Sequence, residues 1–274
     1  MISVNDIHFT YPAGVDALSG VTLSIQEGEK VAIVGQNGSG KTTLVKHFNG
    51  LLKPTSGSVV VGDWDTREHS VARLSARVGY VFQNPDEQLF SRTVEQELAV
   101  GPKNLGFPPE KAEQLIADAL ALTELTDKRA VNPYDLSPTW RKMVALASII
   151  AMDTPVLIFD EPTTGQDFAS VERIGQIVEV LSARGKTVIT ITHDIDFAAD
   201  HFDRLIAMGQ GKVLLDGPLL DVITEEDLLA STYVDPPQLT RLGRRLGLPE
   251  TVSDQANFLL AYHRWREGPK GSKL

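Results

Sequence analysis

Short runs of apolar, mostly β-branched residues recur along the chain, and each run is typical of a β-strand. They cover residues 31–34, 59–61, 78–82, 156–159 and 187–192. Because the residues within each run follow one another without interruption, we expect strands that are buried on both faces, as in a parallel sheet. Residues 21–26 instead alternate, with Val21, Leu23 and Ile25 apolar, which predicts a strand with one buried face.

The segments between these strands have apolar residues at helical spacing. Residues 42–52 and 110–125 each place apolar side chains on one face, and the second segment follows Pro108 and Pro109. Proline is favoured at the first position of a helix, so a helix start is expected there. Residues 144–152 are apolar almost throughout and fit a buried helix. The alternation of strands and helices predicts an α/β fold.

The order of these patterns predicts how the chain is divided. Residues from about 84 to 150 are mainly helical, so we expect a helical subdomain inserted between the core segments 1–83 and 151–217. Asp216-Gly217-Pro218 marks a turn, after which short helices are predicted at residues 225–230 and 238–246. We therefore expect an α/β domain over residues 1–217. A C-terminal helical extension over residues 218–274 should contact another subunit.

Composition excludes several classes of protein. The 274 residues include 26 basic and 36 acidic ones, and the resulting net charge of −10 argues against nucleic acid as the main partner. The chain has no cysteine, which excludes disulfides, thiolate zinc sites and cysteine nucleophiles. We expect no secretory signal, and no apolar run approaches the roughly 18 residues that a membrane span needs. If the protein serves a membrane, it acts from outside the bilayer.

Residues 35–42 match the phosphate-binding motif G-x-x-x-x-G-K-[ST] at every fixed position. The motif follows a predicted strand and begins a predicted helix, which is the context that distinguishes a P-loop from an ordinary glycine-rich turn. Its glycines let backbone N–H groups converge on phosphate oxygens, and the helix N-terminus adds partial positive charge. Lys41 is expected to reach the β- and γ-phosphates, and the Thr42 hydroxyl can bind Mg²⁺.

Two carboxylates end the apolar strand predicted at residues 156–159. Acidic residues at strand ends are usually only solvated, but beside a P-loop they complete the machinery for phosphoryl transfer. We expect Asp160 to hold Mg²⁺, directly or through water. Glu161 is then expected to orient and deprotonate the attacking water.

With these motifs in this order, the chain resembles the ATP-binding subunits of ABC transporters. The likeness is strongest to the ATPases of energy-coupling factor importers, including the cobalt-importer type, and it covers nearly the whole chain. The stretches that carry it are Tyr11-Pro12, the P-loop, residues 81–90, Leu136-Ser137, residues 160–163, residues 192–194 and the tail after Pro218. The resemblance implies an α/β P-loop NTPase fold of the ABC ATPase type, with ATP and Mg²⁺ as ligands.

The resemblance also implies individual roles. Tyr11 matches an aromatic residue that stacks on adenine, Gln83 a glutamine that contacts Mg²⁺ and the attacking water, and His193 a histidine that contacts the γ-phosphate. Asp167 matches the aspartate of a loop that crosses to a partner subunit. The implied catalytic residues are Glu161, His193 and Gln83, and the implied metal ligands are Thr42, Gln83 and Asp160. The implied ATP contacts are Tyr11, Gly35, Asn37, Gly38, Ser39, Gly40, Lys41, Thr42, Thr43 and Ser137.

Two positions depart from the family pattern. The family signature is Leu-Ser-Gly-Gly-Gln, which contacts ATP on the opposite subunit, whereas this chain reads Leu-Ser-Pro-Thr-Trp over residues 136–140. Pro138 has no backbone N–H, so one donor to phosphate is absent. Ser137 and Pro138 also form a favourable helix start, and both interpretations can hold together. The second departure is Gln166, where the family usually has leucine.

Three functions are consistent with the sequence. The first is the motor subunit of a membrane importer that takes up a vitamin or metal ion, peripheral on the cytoplasmic face of the cell membrane. Its expected partners are a second ATPase with a glycine-containing signature, a transmembrane coupling subunit and a substrate-binding membrane subunit. The alternatives are an ABC-type ATPase not linked to transport and a regulatory subunit with little turnover.

The cluster Arg241, Arg244 and Arg245 could bind anionic lipid or a partner, but a solvated helix face is favoured.

Overall fold

The computed structural model describes residues 1–249 and 251–267, and it consists of two β-sheets, helices around the larger sheet, and a helical C-terminal part. The larger sheet has six strands in the order β10-β9-β3-β8-β7-β6. All neighbours in it are parallel except β9 and β10. Its strands are β3 Lys30–Val34, β6 Val78–Val81, β7 Val156–Asp160, β8 Thr187–Ile191, β9 Arg204–Gly209 and β10 Lys212–Pro218.

The smaller sheet is antiparallel and was only partly predicted. Its order is β2-β1-β4-β5, with β1 Ile2–Thr10, β2 Asp16–Ile25, β4 Ser56–Val61 and β5 Trp64–Asp65. The expectation that the apolar run at residues 59–61 lies in a parallel sheet is wrong, because β4 pairs antiparallel with β1. β1 was not predicted. Its burial does not follow a simple alternation, since its pairing with β2 is interrupted by register shifts after Val4, Ile7 and Phe9.

Eleven helices complete the described part of the chain. Their bounds are α1 Lys41–Phe48, α2 Val71–Leu74, α3 Val94–Asn104, α4 Pro109–Leu122, α5 Pro138–Ile150, α6 Phe168–Ala183, α7 Ile195–His201, α8 Leu219–Val222, α9 Glu226–Ser231, α10 Gln238–Arg245 and α11 Gln255–Glu267. Helices α3 to α5 follow one another between β6 and β7, where the sequence predicts a helical segment. No helix in residues 1–249 or 251–267 is long and apolar enough to cross a membrane.

Two predicted helices end earlier than their apolar spacing suggests. α1 ends at Phe48, because Gly50 has a left-handed φ of 74° and the Asn49 side chain accepts a hydrogen bond from the Leu51 N–H. α4 ends at Leu122, and Glu124 also has a left-handed φ, of 56°. Left-handed residues cannot continue a right-handed helix. Apolar periodicity alone therefore overestimated both lengths.

Strands β3 and β6 to β9 of the larger sheet are buried on both faces, which explains their continuous apolar runs. In β3, Val31 and Ile33 belong to a core that also contains residues of the smaller sheet and α1. Ala32 and Val34 belong to a second core that contains residues of α3 to α8. Because the carboxyl ends of β3, β8, β7 and β6 lie side by side, residues that follow these strands are brought to one edge of the sheet.

Candidate functional site

The P-loop connects β3 to α1 and depends on glycine at several positions. Gly35, Gly38 and Gly40 all have positive φ angles, of 142°, 82° and 102°. A Cβ on Gly40 would lie 2.7 Å from the Ala17 carbonyl oxygen, and a Cβ on Gly35 would collide with the Met208 carbonyl. The loop can therefore adopt this conformation only with glycine at both ends, as expected from a cradle of backbone N–H groups.

Lys41 lies inside this loop. Its Nζ donates hydrogen bonds to the carbonyl oxygens of Gly35, at 2.7 Å, and Gln36, at 3.0 Å. Burial lowers the pKa of Lys41 below its usual value, and the nearby carboxylates of Glu161 and Asp160 oppose that shift. The arrangement holds a cationic group at the first turn of α1, where a phosphate would also meet the positive end of the helix dipole.

Asp160 is the last residue of β7 and is buried. Its Oδ2 accepts a hydrogen bond from the Tyr80 hydroxyl at 2.5 Å, and its Oδ1 lies 3.4 Å from the Thr42 hydroxyl. Burial, followed by the charge of Asp160, raises the pKa of Tyr80 far above its usual range, so Tyr80 stays protonated and can donate. Carboxylate and hydroxyl oxygens are the donors that Mg²⁺ prefers, so Asp160 and Thr42 fit a magnesium site.

Glu161 follows β7 and is paired with His193, which follows β8. His193 Nδ1 lies 2.8 Å from Glu161 Oε2, and the Thr164 hydroxyl donates to the same oxygen at 3.2 Å. Glu161 has a left-handed φ of 49°, which a non-glycine residue adopts only at an energetic cost. The Glu161 side chain is buried, whereas the His193 side chain is 64% exposed, so the pair lies at the boundary between the protein interior and solvent.

Gln83 lies two residues after β6. Its side chain is exposed, but its main-chain carbonyl is hydrogen-bonded to α5. Lys142 of α5 donates hydrogen bonds to the Gln83 carbonyl and, at 3.4 Å, to the Glu161 carbonyl. Burial lowers the pKa of Lys142 to about 8, while Asp160 and Glu161 act in the opposite direction. Gln83 and Glu161 are thereby joined through one ammonium group.

Two adjoining cavities collect most of the predicted site residues. The smaller, of about 270 Å³, is lined by Tyr11, Asn37, Gly38, Gly40, Lys41, Thr42, Thr43, Gln83 and Glu161, together with residues 15–17. The larger, of about 830 Å³, includes Gly35, Asn37, Gln83, Glu161 and His193. Asn37, Gln83 and Glu161 line both cavities, so two of the three expected catalytic residues, Gln83 and Glu161, lie where the two meet, and His193 lines the larger cavity alone.

Three predicted site residues, Ser39, Ser137 and Asp160, line neither cavity, and Tyr11 lines only the smaller one. The Tyr11 hydroxyl lies 3.0 Å from the Thr43 hydroxyl. The Ser39 side chain is buried within the loop, and its Oγ has no hydrogen-bond partner in the described part of the chain. Ser137 lines neither cavity. A contact of Ser137 with nucleotide on an opposite subunit stays a prediction.

The altered signature forms the helix start that the sequence predicts. Ser137 is the N-cap of α5, its side chain accepts from the Trp140 N–H at 3.5 Å, and Pro138 is the first helical residue. The Trp140 ring is covered by two cations, with Lys128 Nζ 4.3 Å and the Arg173 guanidinium 5.5 Å from its centroid. The bulky side chain is therefore accommodated within the helical region. Asp167 similarly caps α6, where its carboxylate accepts from the Ser170 N–H at 2.8 Å.

The C-terminal part contributes to the site, which the sequence did not predict. The Gln36 N–H of the P-loop donates to the carbonyl of the fully buried Thr232 at 3.0 Å. Tyr233 and Arg241 line the larger cavity.

The interpretation of the arginine cluster as a solvated face is wrong for Arg244, which is half-buried and donates to the Ile223 carbonyl at 3.1 Å. Residues 268–274 and Glu250 of the predicted extension lie outside the described residues.

Tyr80 and Lys142 were also missed, although Lys142 carries a sequence signal. It lies three and four residues before Ala145 and Leu146, so it shares the buried face of α5 with them. A lysine on the apolar face of a predicted helix indicates a buried charge with partners elsewhere in the fold. Tyr80 has no such signal, because an aromatic residue inside an apolar strand is usually a core residue.

Comparison with known proteins shows the family to which the chain belongs. Residues 18–164 match the ABC transporter family, and this match covers more than half of the chain. The chain belongs to the ABC transporter family. Among its relatives are energy-coupling factor transporter ATP-binding proteins. That of Methanospirillum hungatei is 39% identical over 243 residues, 88% of each chain. That of Methanoculleus marisnigri is 38% identical over 273 residues, 96% of this chain and 99% of the relative.

Solved structures of ABC transporter proteins have the same fold. The cbiO1 protein of Clostridium perfringens, part of the ABC transporter complex cbiONQ, has a TM-score of 0.76 and 33% identity, covering 90% of this chain and 98% of its own. The dimeric ATP-binding cassette MJ0796, bound to ADP and Pi, has a TM-score of 0.72 and 29% identity. The match covers 80% of this chain and 99% of MJ0796. The predicted ABC ATPase fold and the predicted likeness to energy-coupling factor ATPases are therefore confirmed.

Some relatives are much longer than this chain. An ABC transporter ATP-binding protein of Caldanaerobacter subterraneus is 41% identical over 247 residues, which is 90% of this chain but 43% of the relative. A relative in Methanosarcina acetivorans is 40% identical over 267 residues, or 44% of its length. The chain thus spans less than half the length of these two relatives.

Proposed function

We propose that this chain is the ATP-binding and ATP-hydrolysing motor subunit of an energy-coupling factor type ABC importer. The observation that carries the proposal is that Glu161, which is paired with His193, lines the same cavity as Lys41 and Thr42 of the P-loop. The cargo would be a micronutrient, either a vitamin or a metal ion. The names of the energy-coupling factor relatives support the type of transporter.

The site residues divide the work of hydrolysis between them. The P-loop N–H groups and Lys41 would bind the β- and γ-phosphates, and the Tyr11 ring, which lines the smaller cavity, would cover the adenine. Thr42, Asp160 and Gln83 would hold Mg²⁺, which offsets the phosphate charge when it is bound. Tyr80 orients the Asp160 carboxylate through its hydrogen bond.

Glu161 is proposed as the general base. One of its oxygens, Oε2, is occupied by His193 and Thr164, which leaves Oε1 to accept a proton from water. That water attacks the γ-phosphorus, the bond from this phosphorus to the β,γ-bridging oxygen breaks, and ADP leaves with the electron pair. Gln83 would help to orient the water, and His193 would contact the γ-phosphate.

Partners are proposed from exposed surfaces near the site. Phe90 is 71% exposed, and beside it the half-exposed Tyr134 donates to the Leu89 carbonyl at 2.7 Å. We propose that a transmembrane coupling subunit, associated with a substrate-binding membrane subunit, docks on these residues. Phe168, which is 80% exposed next to Asp167, would face a second ATPase. These contacts would place the chain on the cytoplasmic face of the membrane, with residues 218–274 contributing to subunit contacts.

The test compares Glu161→Gln with the wild-type protein in single-turnover hydrolysis. We expect MgATP affinity to be kept and turnover to fall by about 10² or more, as expected when a positioned base is lost. Lys41→Ala should instead lose MgATP affinity. Glu172→Gln, an exposed position on α6, is the matched control and should behave as wild type. Hydrolysis by Glu161→Gln at the wild-type rate would show that Glu161 is not the base.

Two alternatives make different predictions. Pro138 removes an N–H from the signature, which favours a regulatory subunit with little turnover. In that case the wild-type protein and Glu161→Gln would hydrolyse ATP equally slowly. An ABC-type ATPase not linked to transport would hydrolyse ATP but would not co-purify with membrane proteins in detergent.

A further inference from the structure

A lysine is buried on the apolar face of α5. Lys142 is 2% exposed, and Ala145 and Leu146, which follow it on the same face, are fully buried. Lysine is almost never buried to this degree unless its ammonium group has partners, because removing a charge from water is costly. The position of Lys142 therefore needs an explanation in terms of the groups that it meets.

The partners of Lys142 are main-chain carbonyls next to the site. Its Nζ donates to the carbonyl of Gln83, which follows β6, and to that of Glu161, which follows β7, at 3.4 Å. The charged groups near it are the carboxylates of Asp160 and Glu161. A single ammonium group thus joins α5 to the two segments that carry the proposed water-orienting glutamine and the proposed base.

The backbone conformation of Glu161 is unfavourable and needs contacts such as the hydrogen bond from Lys142 to maintain it. Its φ of 49° is unfavourable for a residue with a side chain, so neighbouring contacts must maintain it. The Glu161 N–H donates to the Ile191 carbonyl at 2.8 Å, and the Glu161 carbonyl accepts from Lys142. Both main-chain polar groups of Glu161 are therefore held, one from β8 and one from α5.

We infer that Lys142 is a positioning residue for ATP hydrolysis, which holds the main chain of Gln83 and Glu161 so that their side chains face the same reacting water. The inference rests on the proposed function, because it takes Glu161 as the base. Lys142 touches no reacting atom itself. Its loss should displace both side chains slightly, and displacements near 1 Å can reduce turnover by about 10²-fold.

The experiment measures kcat, KM and MgATP affinity of the full chain, purified together with its partner subunits. Lys142→Met keeps the length and apolar stem of the side chain but removes the donor. Lys142→Arg keeps a cationic donor. Lys186→Met is the matched control, because Lys186 also donates to a backbone carbonyl, that of Asp153 at 2.8 Å, but at the amino end of β7 and β8, away from the site.

We expect Lys142→Met to lower kcat by about 10²-fold while KM and MgATP affinity stay within about twofold of wild type. Lys142→Arg should recover at least a tenth of the wild-type kcat, roughly the outcome of restoring a donor in altered geometry. Lys186→Met should keep the wild-type kcat. If Lys142→Met fails to fold, Lys142→Gln replaces it with the same expected kcat and KM pattern, because its shorter, neutral side chain also lacks the ammonium group that joins the two carbonyls.

The inference is overturned if Lys142→Met keeps the wild-type kcat, or if its KM rises while kcat is unchanged. An equal loss of kcat in Lys142→Met, Lys142→Arg and Lys186→Met would overturn it too, because it would indicate a general effect on stability. Failure of the proposed function is distinguishable from these results. In that case Glu161→Gln would hydrolyse ATP at the wild-type rate, whatever the Lys142 variants do.

Discussion

At the scale of single residues, the Asp160 carboxylate shows how the site is held together. It is buried at the end of β7 and accepts hydrogen bonds from Tyr80 of β6 and Thr42 of α1. A buried carboxylate that loses such a donor bears the cost of its own desolvation without compensation. Tyr80 therefore stabilises the fold as well as orienting the proposed metal ligand.

This argument predicts the effect of Tyr80→Phe on stability. The substitution removes only the hydroxyl, and we expect the free energy of unfolding to fall by about 1.5–3 kcal/mol, the range for hydrogen bonds to charged groups. Tyr134→Phe is the control, because the Tyr134 hydroxyl donates to the neutral Leu89 carbonyl from a half-exposed position. Its loss should be about 0.5–1.5 kcal/mol. Urea unfolding measures both, and a smaller loss for Tyr80→Phe than for Tyr134→Phe would contradict the argument.

At the scale of elements, α5 combines two tasks. Its start, Ser137 and Pro138, caps the helix, and its buried face carries Lys142 into the site. The proline stabilises the first turn because its missing N–H would have had no partner within the helix. The same absence removes a donor that the glycine signature of the family would offer to phosphate. Helix stability and anion binding therefore favour different residues at this position.

A cap variant tests the structural task separately. We expect Ser137→Ala to lower the free energy of unfolding by about 0.5–1 kcal/mol, near the lower end for N-caps, because the hydrogen bond to the Trp140 N–H is long, at 3.5 Å. Ser137→Gly should cost only a few tenths of a kcal/mol, since glycine is tolerated at an N-cap. Urea unfolding without nucleotide keeps any effect on ATP binding out of the comparison. Identical midpoints for Ser137→Ala and wild type would show that the cap is not needed.

At the scale of the whole molecule, we expect the chain to offer unequal halves of a composite site. The P-loop side brings Lys41, Asp160 and Glu161 together, whereas the signature side presents Ser137, Pro138 and Thr139. In the head-to-tail dimers that the family resemblance implies, each ATP would lie between one P-loop and the opposite signature. A homodimer would then lack the glycine N–H donors at both sites.

We therefore predict an asymmetric pair with a different ATPase that carries the glycine signature. That partner would complete the site at Lys41 and Glu161, which should perform most of the hydrolysis. The other site should turn over more slowly by about 10²- to 10³-fold, the usual cost of losing a transition-state donor. Changing the catalytic glutamate to glutamine in each subunit separately should lower turnover by about 10²-fold or more for Glu161→Gln and leave it nearly intact for the partner. Equal losses, or rapid hydrolysis by a homodimer of this chain, would refute the asymmetry.

The amino-acid sequence by itself determined the parts of the site that are built from consecutive residues. The P-loop, the carboxylates at the end of β7 and the Ser137-Pro138 helix start were predicted, because glycine, proline and acidic residues act there through local backbone geometry. Four strands of the larger sheet, β3, β6, β7 and β8, were also predicted, since burial on both faces requires a continuous apolar run, whereas β9 and β10 were not predicted. Because these four strands are parallel, the site residues at their carboxyl ends meet at one edge of the sheet.

Only the tertiary structure decided the contacts between distant segments. The antiparallel sheet around β1, the hydrogen bond from Tyr80 to Asp160, and the contact between Thr232 and the P-loop join residues far apart in the chain. Lys142 reaches Gln83 and Glu161 across 59 and 19 residues. None of these pairs leaves a periodic pattern, because each depends on how elements pack rather than on the spacing of residues within one element.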